Sequence, residues 1–389
     1  EKTYLANING FSINNNKIII NDGSKIRICD PNIIPPKEML TNPKFNKTTG
    51  LIDLNRVKVS INPIEEWKQM YSEAWRLQKD HFWVSNMSGI NWKKIHDRYY
   101  PLIDRVSSRT EFSDLIWEMQ GELGTSHCYE MGGDYKQRRV YHDGLLGSKI
   151  IYNEKKKMYQ INRIFKGDVW QHPQSPLIRP GLNISTGDFI EKINGQKLTK
   201  KMTPGKILVN NNNTEVELSI IDCKNNKRRK VTVKTISSDK SLLYRDWVEN
   251  NKKYVHTKSK GKIGYIHIPD MGVPGYAEFH RHFLTEINYD GLVVDVRYNG
   301  GGHVSQLLLS KLARKRIGAN LTRWMGSNPY PDESPAGPMV AITNEFAGSD
   351  GDIFSHSWKM MKLGKLIGKR TWGGVIGIWP RNSLVDGTM

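Results

Sequence analysis

Between residues 62 and 82 apolar side chains recur at helical spacing. Ile64, Trp67, Met70, Tyr71, Ala74 and Trp75 fall on one stripe of a 3.6-residue period, which predicts a core-facing helix. Asn62 is its N-cap, Pro63 suits the first helical position, and Glu65 completes a capping box. A second helix is predicted over 92–100, stopped by Pro101. A third is predicted over 110–123, with Thr110 as N-cap, Phe112, Leu115, Ile116 and Met119 on one face, and Gly124 at its end. The pattern then changes twice. Residues 143–236 carry short alternating runs broken by turns, the mark of a β domain. From about 260 onward the runs "IGYIHI", "GLVVDVR", "PMVAIT" and "KLIGKR" alternate with helical patterns near 274–287, 303–315 and 350–362. That alternation predicts a sheet with helices packed on it. Before all this, residues 1–31 alternate as one or two β-hairpins, with Asn21-Asp22-Gly23 as a turn signal.

The chain is therefore expected to be a multidomain α+β protein. Its parts are a β segment over 1–31, a linker over 32–61, a helical subdomain over 62–142, a β domain over 143–236 and an α/β domain over 237–389. Within the β domain, "PLIRPGLNISTGDFIEKINGQKL" resembles a PDZ domain, with "VELSIID" and "RKVTVKT" as its last strand pair. A PDZ groove adds a peptide as an extra strand.

Composition narrows the partners. The net charge is +19, which raises a nucleic-acid or membrane partner. The basic runs, such as Lys155-Lys156-Lys157 and Lys227-Arg228-Arg229-Lys230, are short and sit at predicted hairpins, so a solvated surface is the reading taken, with no nucleic acid and no membrane. No apolar run approaches the ~20 residues of a membrane-spanning helix. Cys29, Cys128 and Cys223 are far apart and odd in number, which fits neither a zinc site nor a disulfide framework. The two histidines of "HRH" at 280–282 do not share a helix face. No metal and no cofactor are expected.

The candidate chemistry lies in "NEFAGSDGDIF", where a small-residue turn separates a predicted strand from a predicted helix. Ser349 stands at that junction. A serine hydroxyl becomes a nucleophile only with a base to take its proton and donors to hold the oxyanion. The N–H of Asp350, at the helix start, is a natural oxyanion donor. The turn by itself favours a plain N-cap serine. A second strand-to-helix turn, "DVRYNGGGHVSQLLL", changes the picture, because Gly300, Gly301 and Gly302 would let a backbone N–H approach a substrate carbonyl. Two such turns at the ends of strands in one sheet form a crevice. For the base, His356 lies about 10 Å along the helix from Ser349, too far to share a hydrogen bond. Spacing leaves His303 and His127 both open.

Three stretches, "GTSHCYE", "RYNGGGHVSQ" and "NEFAGSDGD…GKRTWGGVIGI", together resemble the tricorn protease family, in order and with a PDZ-like domain between the first and the second. The resemblance covers roughly residues 60–389. It implies Ser349 as nucleophile, His127 as general base and Ser126 as the group orienting the imidazole. It also implies an oxyanion hole from the N–H of Asp350 and one from the Gly301–Gly302 region. Further implications are a crotonase/ClpP-like layered catalytic domain, a β-propeller tail in residues 1–31, a homo-hexamer acting on oligopeptides, and a cytoplasmic location, with a periplasmic or secreted one left open. Family members support the orienting serine with a downstream Glu, and none of the 40 residues after Ser349 is Glu, so the chain reads as a portion of a longer protein whose activity in this form is in question. Residues 303–331 hold no Asp or Glu, so an acidic device favouring basic residues before the scissile bond is not expected.

Two rivals remain at this stage. A C-terminal processing peptidase shares the layout but uses a Ser–Lys dyad; its lysine position is occupied here by Gly374, with Lys365 and Lys369 off register. The other rival is a non-catalytic scaffold in which the PDZ-like domain does the binding.

Overall fold

The computed structural model describes residues 8–14, 16–21, 25–30, 32, 44–47, 49–135, 140–168, 173–377 and 382–389. The Asp22-Gly23 part of the expected first turn and the linker stretch 33–43 lie outside these. The chain divides into two compact units, residues 1–72 with 100–106, and residues 73–99 with 107–389.

The first unit begins with a small antiparallel sheet of β1 (Gly10–Asn14), β2 (Lys17–Asn21) and β3 (Ile26–Cys29). Alternation buries Ile20 and Cys29 on one side. The segment at 50–52 extends the sheet, with Ile28 N–H donating to Gly50 O (2.8 Å) and Ile52 N–H to Ile26 O (3.0 Å). Helix α1 (Pro63–His81) starts as expected, Asn62 Oδ1 accepting the Ile64 N–H at 3.2 Å. The expected capping box does not close; the Glu65 carboxylate turns to Lys68 Nζ at 3.3 Å.

In the second unit, α1 runs on past α2 (Trp92–Tyr99) and α3 (Arg109–Gly121). Each of Trp75 and Trp92 donates its indole N–H to the other's carbonyl, at 2.8 and 2.9 Å, so buried Trp92 and half-buried Trp75 leave no orphaned donor. The N-cap of α3 is Ser108, two residues before the expected Thr110: its Oγ accepts the Glu111 N–H at 3.3 Å. Glu111 in turn takes the N–H and hydroxyl of Ser107, both at 2.8 Å.

The β domain is a six-stranded sheet of β4 (Ser148–Asn153), β5 (Met158–Ile164), β6 (Phe189–Ile193), β7 (Gln196–Lys197), β8 (Glu215–Ile221) and β9 (Arg228–Lys234). The order is β4-β5-β6-β8-β9, with β7 paired to β6. Ile161, Leu177, Ile190, Leu218 and Ile220 form its core, and the short helix α4 (Pro204–Ile207) adds Ile207.

The α/β domain holds four parallel strands in sequential order: β10 (Ile263–His267), β11 (Gly291–Asp295), β14 (Met339–Thr343) and β15 (Gly364–Gly368). The near-continuous apolar runs of β10 and β11 are buried on both faces, β14 alternates between buried and half-buried positions, and β15 is an exposed edge strand. Around them lie α5 (Lys240–Lys258), α6 (Val273–Glu286), α7 (Ser305–Leu312) and α8 (Asp350–Met360). Val294 and Ala341 on the strands pack with Phe283, Leu308, Phe354 and Trp358 from the helices. A hairpin, β12 (Gly318–Thr322) and β13 (Gly326–Tyr330), stands between α7 and β14 with Leu321, Trp324 and Met325 exposed. Strands β11 and β14 are direct neighbours, Asp295 opposite Ile342, so the turns that follow them emerge side by side.

Helices α5 and α6 are tied to the β domain through charge. Buried Arg245 pairs with Glu278 (2.5 Å) and with Asp168 (3.5 Å), which also meets Arg281; His282 lies 3.5 Å from Glu278. Burial pushes the Glu278 carboxyl up, but the bonds from His282 and Arg245 outweigh it and hold the group at about 2, below its ordinary 4.5. A depressed carboxyl contributes stability that is whole above pH 4.5 and is lost as pH falls through about 2. Melting temperature is therefore expected to drop across that interval. A Glu278→Gln variant should melt lower at neutral pH and show a shallower drop; an unchanged slope would remove Glu278 from the acid response.

Candidate functional site

The site is built where the turns after β11 and β14 meet. In the first turn, buried Asn299 acts as a staple. Its Nδ2 donates to Ile268 O at 2.9 Å, its Oδ1 accepts the Gly301 N–H at 2.9 Å, and its carbonyl accepts the Gly348 N–H at 3.0 Å. The loop also bridges to Met271, whose carbonyl accepts the His303 N–H at 2.7 Å. Glycine is needed here for space. A Cβ on Gly301 (φ +81°) would lie 2.6 Å from the Ser349 Cβ, and one on Gly302 (φ +150°) would lie 2.0 Å from Met271 O.

In the second turn Ser349 has φ +56° and ψ −120°, a conformation rarely adopted by side-chain-bearing residues. Backbone strain of this kind costs about 1–3 kcal/mol and gathers at functional sites. The strain does not serve capping, because the Ser349 hydroxyl makes no bond to its own helix. Its Oγ lies instead 3.1 Å from His127 Nε2. His127 also has positive φ, +61°. Asp350, the next residue, directs its carboxylate to the start of α7, accepting the Ser305 N–H at 3.0 Å and the Ser305 hydroxyl. One side chain thus locks the serine turn to the glycine turn.

The other face of the His127 ring is fixed by Ser126 and Ile376. Nδ1 lies 3.0 Å from Ser126 Oγ and 3.0 Å from Ile376 O. Ser126 Oγ donates to Ile376 O at 2.7 Å and accepts the Ile376 N–H at 3.1 Å. With an acceptor carbonyl beside Nδ1, that nitrogen carries the proton and Nε2 presents its lone pair to Ser349. The segment around Ile376 is held in turn by Asp352, which accepts the Gly373 N–H at 2.8 Å. Trp372 donates its backbone N–H to Ala347 O at 2.9 Å and sets its ring edge-on to His127.

Of the residues expected from sequence, Ser349, His127, Ser126, Asp350, Gly301 and Gly302 are brought together. One expected donor is diverted: the Gly301 N–H is spent on Asn299 Oδ1. Among the described residues no acceptor is found for the N–H groups of Gly302 and Asp350, and both residues line the crevice. His303 is exposed at the cleft wall, and no hydrogen bond joins it to Ser349; His356 is also exposed. No lysine among the described residues hydrogen-bonds Ser349, and Lys369 is paired with Glu345 at 2.8 Å. Cys128, beside His127, is no rival nucleophile: burial pushes its thiol up to about 11, so it stays protonated near neutral pH. Asn299, Ile376 and Trp372 were not singled out from sequence. The Asn before the glycine triplet was a signal; Ile376 acts through its backbone, which leaves none.

The crevice is about 560 Å³, with Gln306, Ile353 and Val375 on its walls beside the Ser349–His127 pair. Elsewhere Asp188, Asp222 and Cys223 come within ligating distance of one another, but Arg229 already neutralises the first two, at 3.3 and 3.8 Å. No helix of the described residues is long and apolar enough to cross a membrane.

Comparison with known proteins gives three adjoining matches. Residues 63–121 match the Tricorn protease C1 domain, residues 144–238 the Tricorn protease PDZ domain, and residues 262–389 Peptidase family S41. A Tricorn protease homolog of Saccharolobus solfataricus is 44% identical over 396 residues, covering 100% of this chain and 36% of that protein. The Tricorn protease of Thermoplasma volcanium is 42% identical over 372 residues, covering 95% of this chain and 36% of that protein. A solved structure described as the crystal structure of the tricorn protease superposes with a TM-score of 0.84 at 37% identity, over 98% of this chain and 36% of that one. The chain spans little more than a third of each of these three.

Proposed function

This chain belongs to the tricorn protease family, as a C-terminal part with C1, PDZ and S41 peptidase domains, and from that premise we propose that it cleaves peptides with Ser349 as nucleophile and His127 as general base. The observation that carries the reading is the 3.1 Å approach of His127 Nε2 to a strained serine hydroxyl that caps nothing. His127 takes the hydroxyl proton as Ser349 Oγ attacks the scissile carbonyl. The oxyanion then forms against the N–H groups of Gly302 and Asp350, at the start of α8, where the helix end also favours negative charge. Ile376 O and Ser126 Oγ hold the Nδ1 proton and stabilise the imidazolium. The imidazolium gives its proton to the leaving amine, and water later attacks the acyl-enzyme with His127 again as base.

Covalent labelling tests this. A fluorophosphonate is expected to modify the full chain at Ser349, located by peptide mapping. Labelling elsewhere, or none, would end the reading. The oxyanion geometry has its own test. Gly301→Ala would set a Cβ 2.6 Å from the Ser349 Cβ and 3.1 Å from the Asp350 nitrogen, and displacing that oxyanion N–H should lower kcat by about 10²–10³-fold, the scale of one lost donor. A steady-state assay showing less than a few-fold loss would count against the tight packing of the two turns.

A further inference from the structure

Ser349 and His127 lie 222 residues apart in sequence, so their 3.1 Å contact has to be set by what joins their two loops. The segment 372–376, which follows β15, joins them. Its first part is tied to the serine turn from both sides. The Trp372 N–H donates to Ala347 O at 2.9 Å, just before the turn. The Trp372 ring lies against Gly348, where a Cβ would come within 2.9 Å of Cε3. The Gly373 N–H donates to Asp352 Oδ1 at 2.8 Å, just after the turn. The last part of the segment meets the histidine loop. Ile376 O lies 3.0 Å from His127 Nδ1 and accepts the Ser126 hydroxyl at 2.7 Å, while the Ile376 N–H donates to Ser126 Oγ at 3.1 Å. Of the two hydrogen bonds between this segment and the serine turn, the one at Gly373 is accepted by a side chain, and a bond to a carboxylate is the stronger kind.

Asp352 has a plainer reading. It stands in the first turn of α8, where an acid stabilises the helix through its dipole. An acid three residues past an N-cap also commonly turns back to the N–H of that cap. Asp352 instead is buried, and its Oδ1 reaches a segment 21 residues on. The two readings differ in what they need. A helix end needs charge; the segment needs an acceptor held at one point. Resting on the peptidase reading above, we propose that Asp352 is a positioning residue. By holding Gly373 it sets the Ile376 carbonyl against His127 Nδ1, and so keeps Nε2 within reach of the Ser349 hydroxyl. A shift of that carbonyl by about 1 Å would cost about 10²-fold in rate, the scale of a small misplacement in a catalytic constellation.

Substitutions in the full chain separate the readings. Asp352→Asn keeps an acceptor at the same place and loses the charge. Asp352→Glu keeps the charge and moves the acceptor outward by one methylene. Asp352→Ala loses both. The rate of fluorophosphonate labelling at Ser349, and kcat and KM on a fluorogenic peptide, are read beside the melting temperature. Asp352→Asn should label nearly as fast as the parent. Asp352→Glu and Asp352→Ala should be slower by about 10²-fold, with kcat lowered and KM held, since Asp352 is not on the crevice wall. A helix-end role alone would instead lower the Asn and Ala proteins together. Asp352→Ala combined with Ser126→Ala should lose a rate that departs from the product of the single losses, because both act on Ile376. An Asn protein slowed as much as the Ala one, a folded Ala protein that labels as fast as the parent, or losses that simply multiply with Ser126→Ala overturns the proposal. In each case labelling of the parent at Ser349 leaves the peptidase reading standing. Should Asp352→Ala fail to fold, the Asn and Glu proteins decide, and equal rates for the two overturn it. A parent that does not label at Ser349 ends both readings.

Discussion

Replacing Ser349 by alanine is expected to lower kcat on a fluorogenic peptide by about 10⁴–10⁶-fold, the scale seen when a serine nucleophile is removed. The fold should survive. Ser349 makes no cap bond that the helix would miss, and alanine carries the same Cβ into the same positive-φ conformation, so the strain is unchanged. A residual rate above water is expected, because the N–H groups of Gly302 and Asp350 remain to polarise a bound carbonyl. The check is a paired measurement of kcat and thermal melting. A variant that melts like the parent and keeps more than about a hundredth of its rate would mean that Ser349 is not the attacking group.

Much of this arrangement could be anticipated because the sequence punctuates it. Short apolar strands broken by "NGGG" and "AGSDG" mark two turns, and parallel neighbours put such turns on one edge of a sheet. What the pattern hides is instructive. Helix α5 was not anticipated, because its buried face includes Arg245, a charge held in the interior by Glu278 and Asp168, so the apolar period is broken where the helix packs most tightly. The β12–β13 hairpin was not anticipated either; Leu321, Trp324 and Met325 are exposed, and no buried alternation betrays it. Ser108 rather than Thr110 starts α3, a choice between two good capping residues that local sequence does not resolve.

The site divides in the same manner. From the residues alone Ser349 was a candidate nucleophile and His127 one of two open candidates for its base; only the resemblance pointed to His127 and Ser126, and the structure brings the three side chains together. Backbone chemistry was not legible. Which glycine keeps a free N–H depends on Asn299 Oδ1 taking the one at Gly301, and the group opposite His127 Nδ1 is a carbonyl of Ile376, 249 residues away in sequence. Ser126 and His127 both bond to the backbone of Ile376, contacts that reasoning from side chains does not reach.

His127→Ala is expected to lower kcat about as much as Ser349→Ala, roughly 10⁴–10⁶-fold, because a hydroxyl without a proton acceptor attacks no better than a missing one. Alanine again preserves the Cβ at φ +61°, so the change isolates the imidazole. The decisive measurement is the double variant. If nucleophile and base act as a unit, Ser349→Ala with His127→Ala should lose no more than either alone, since removing one already removes the other's purpose. Losses that multiply would mean that each residue supports the reaction by a separate route, and His303, on the wall of the same crevice, would then be the next imidazole to replace. Losses that coincide would mean that the 3.1 Å contact is where the proton moves.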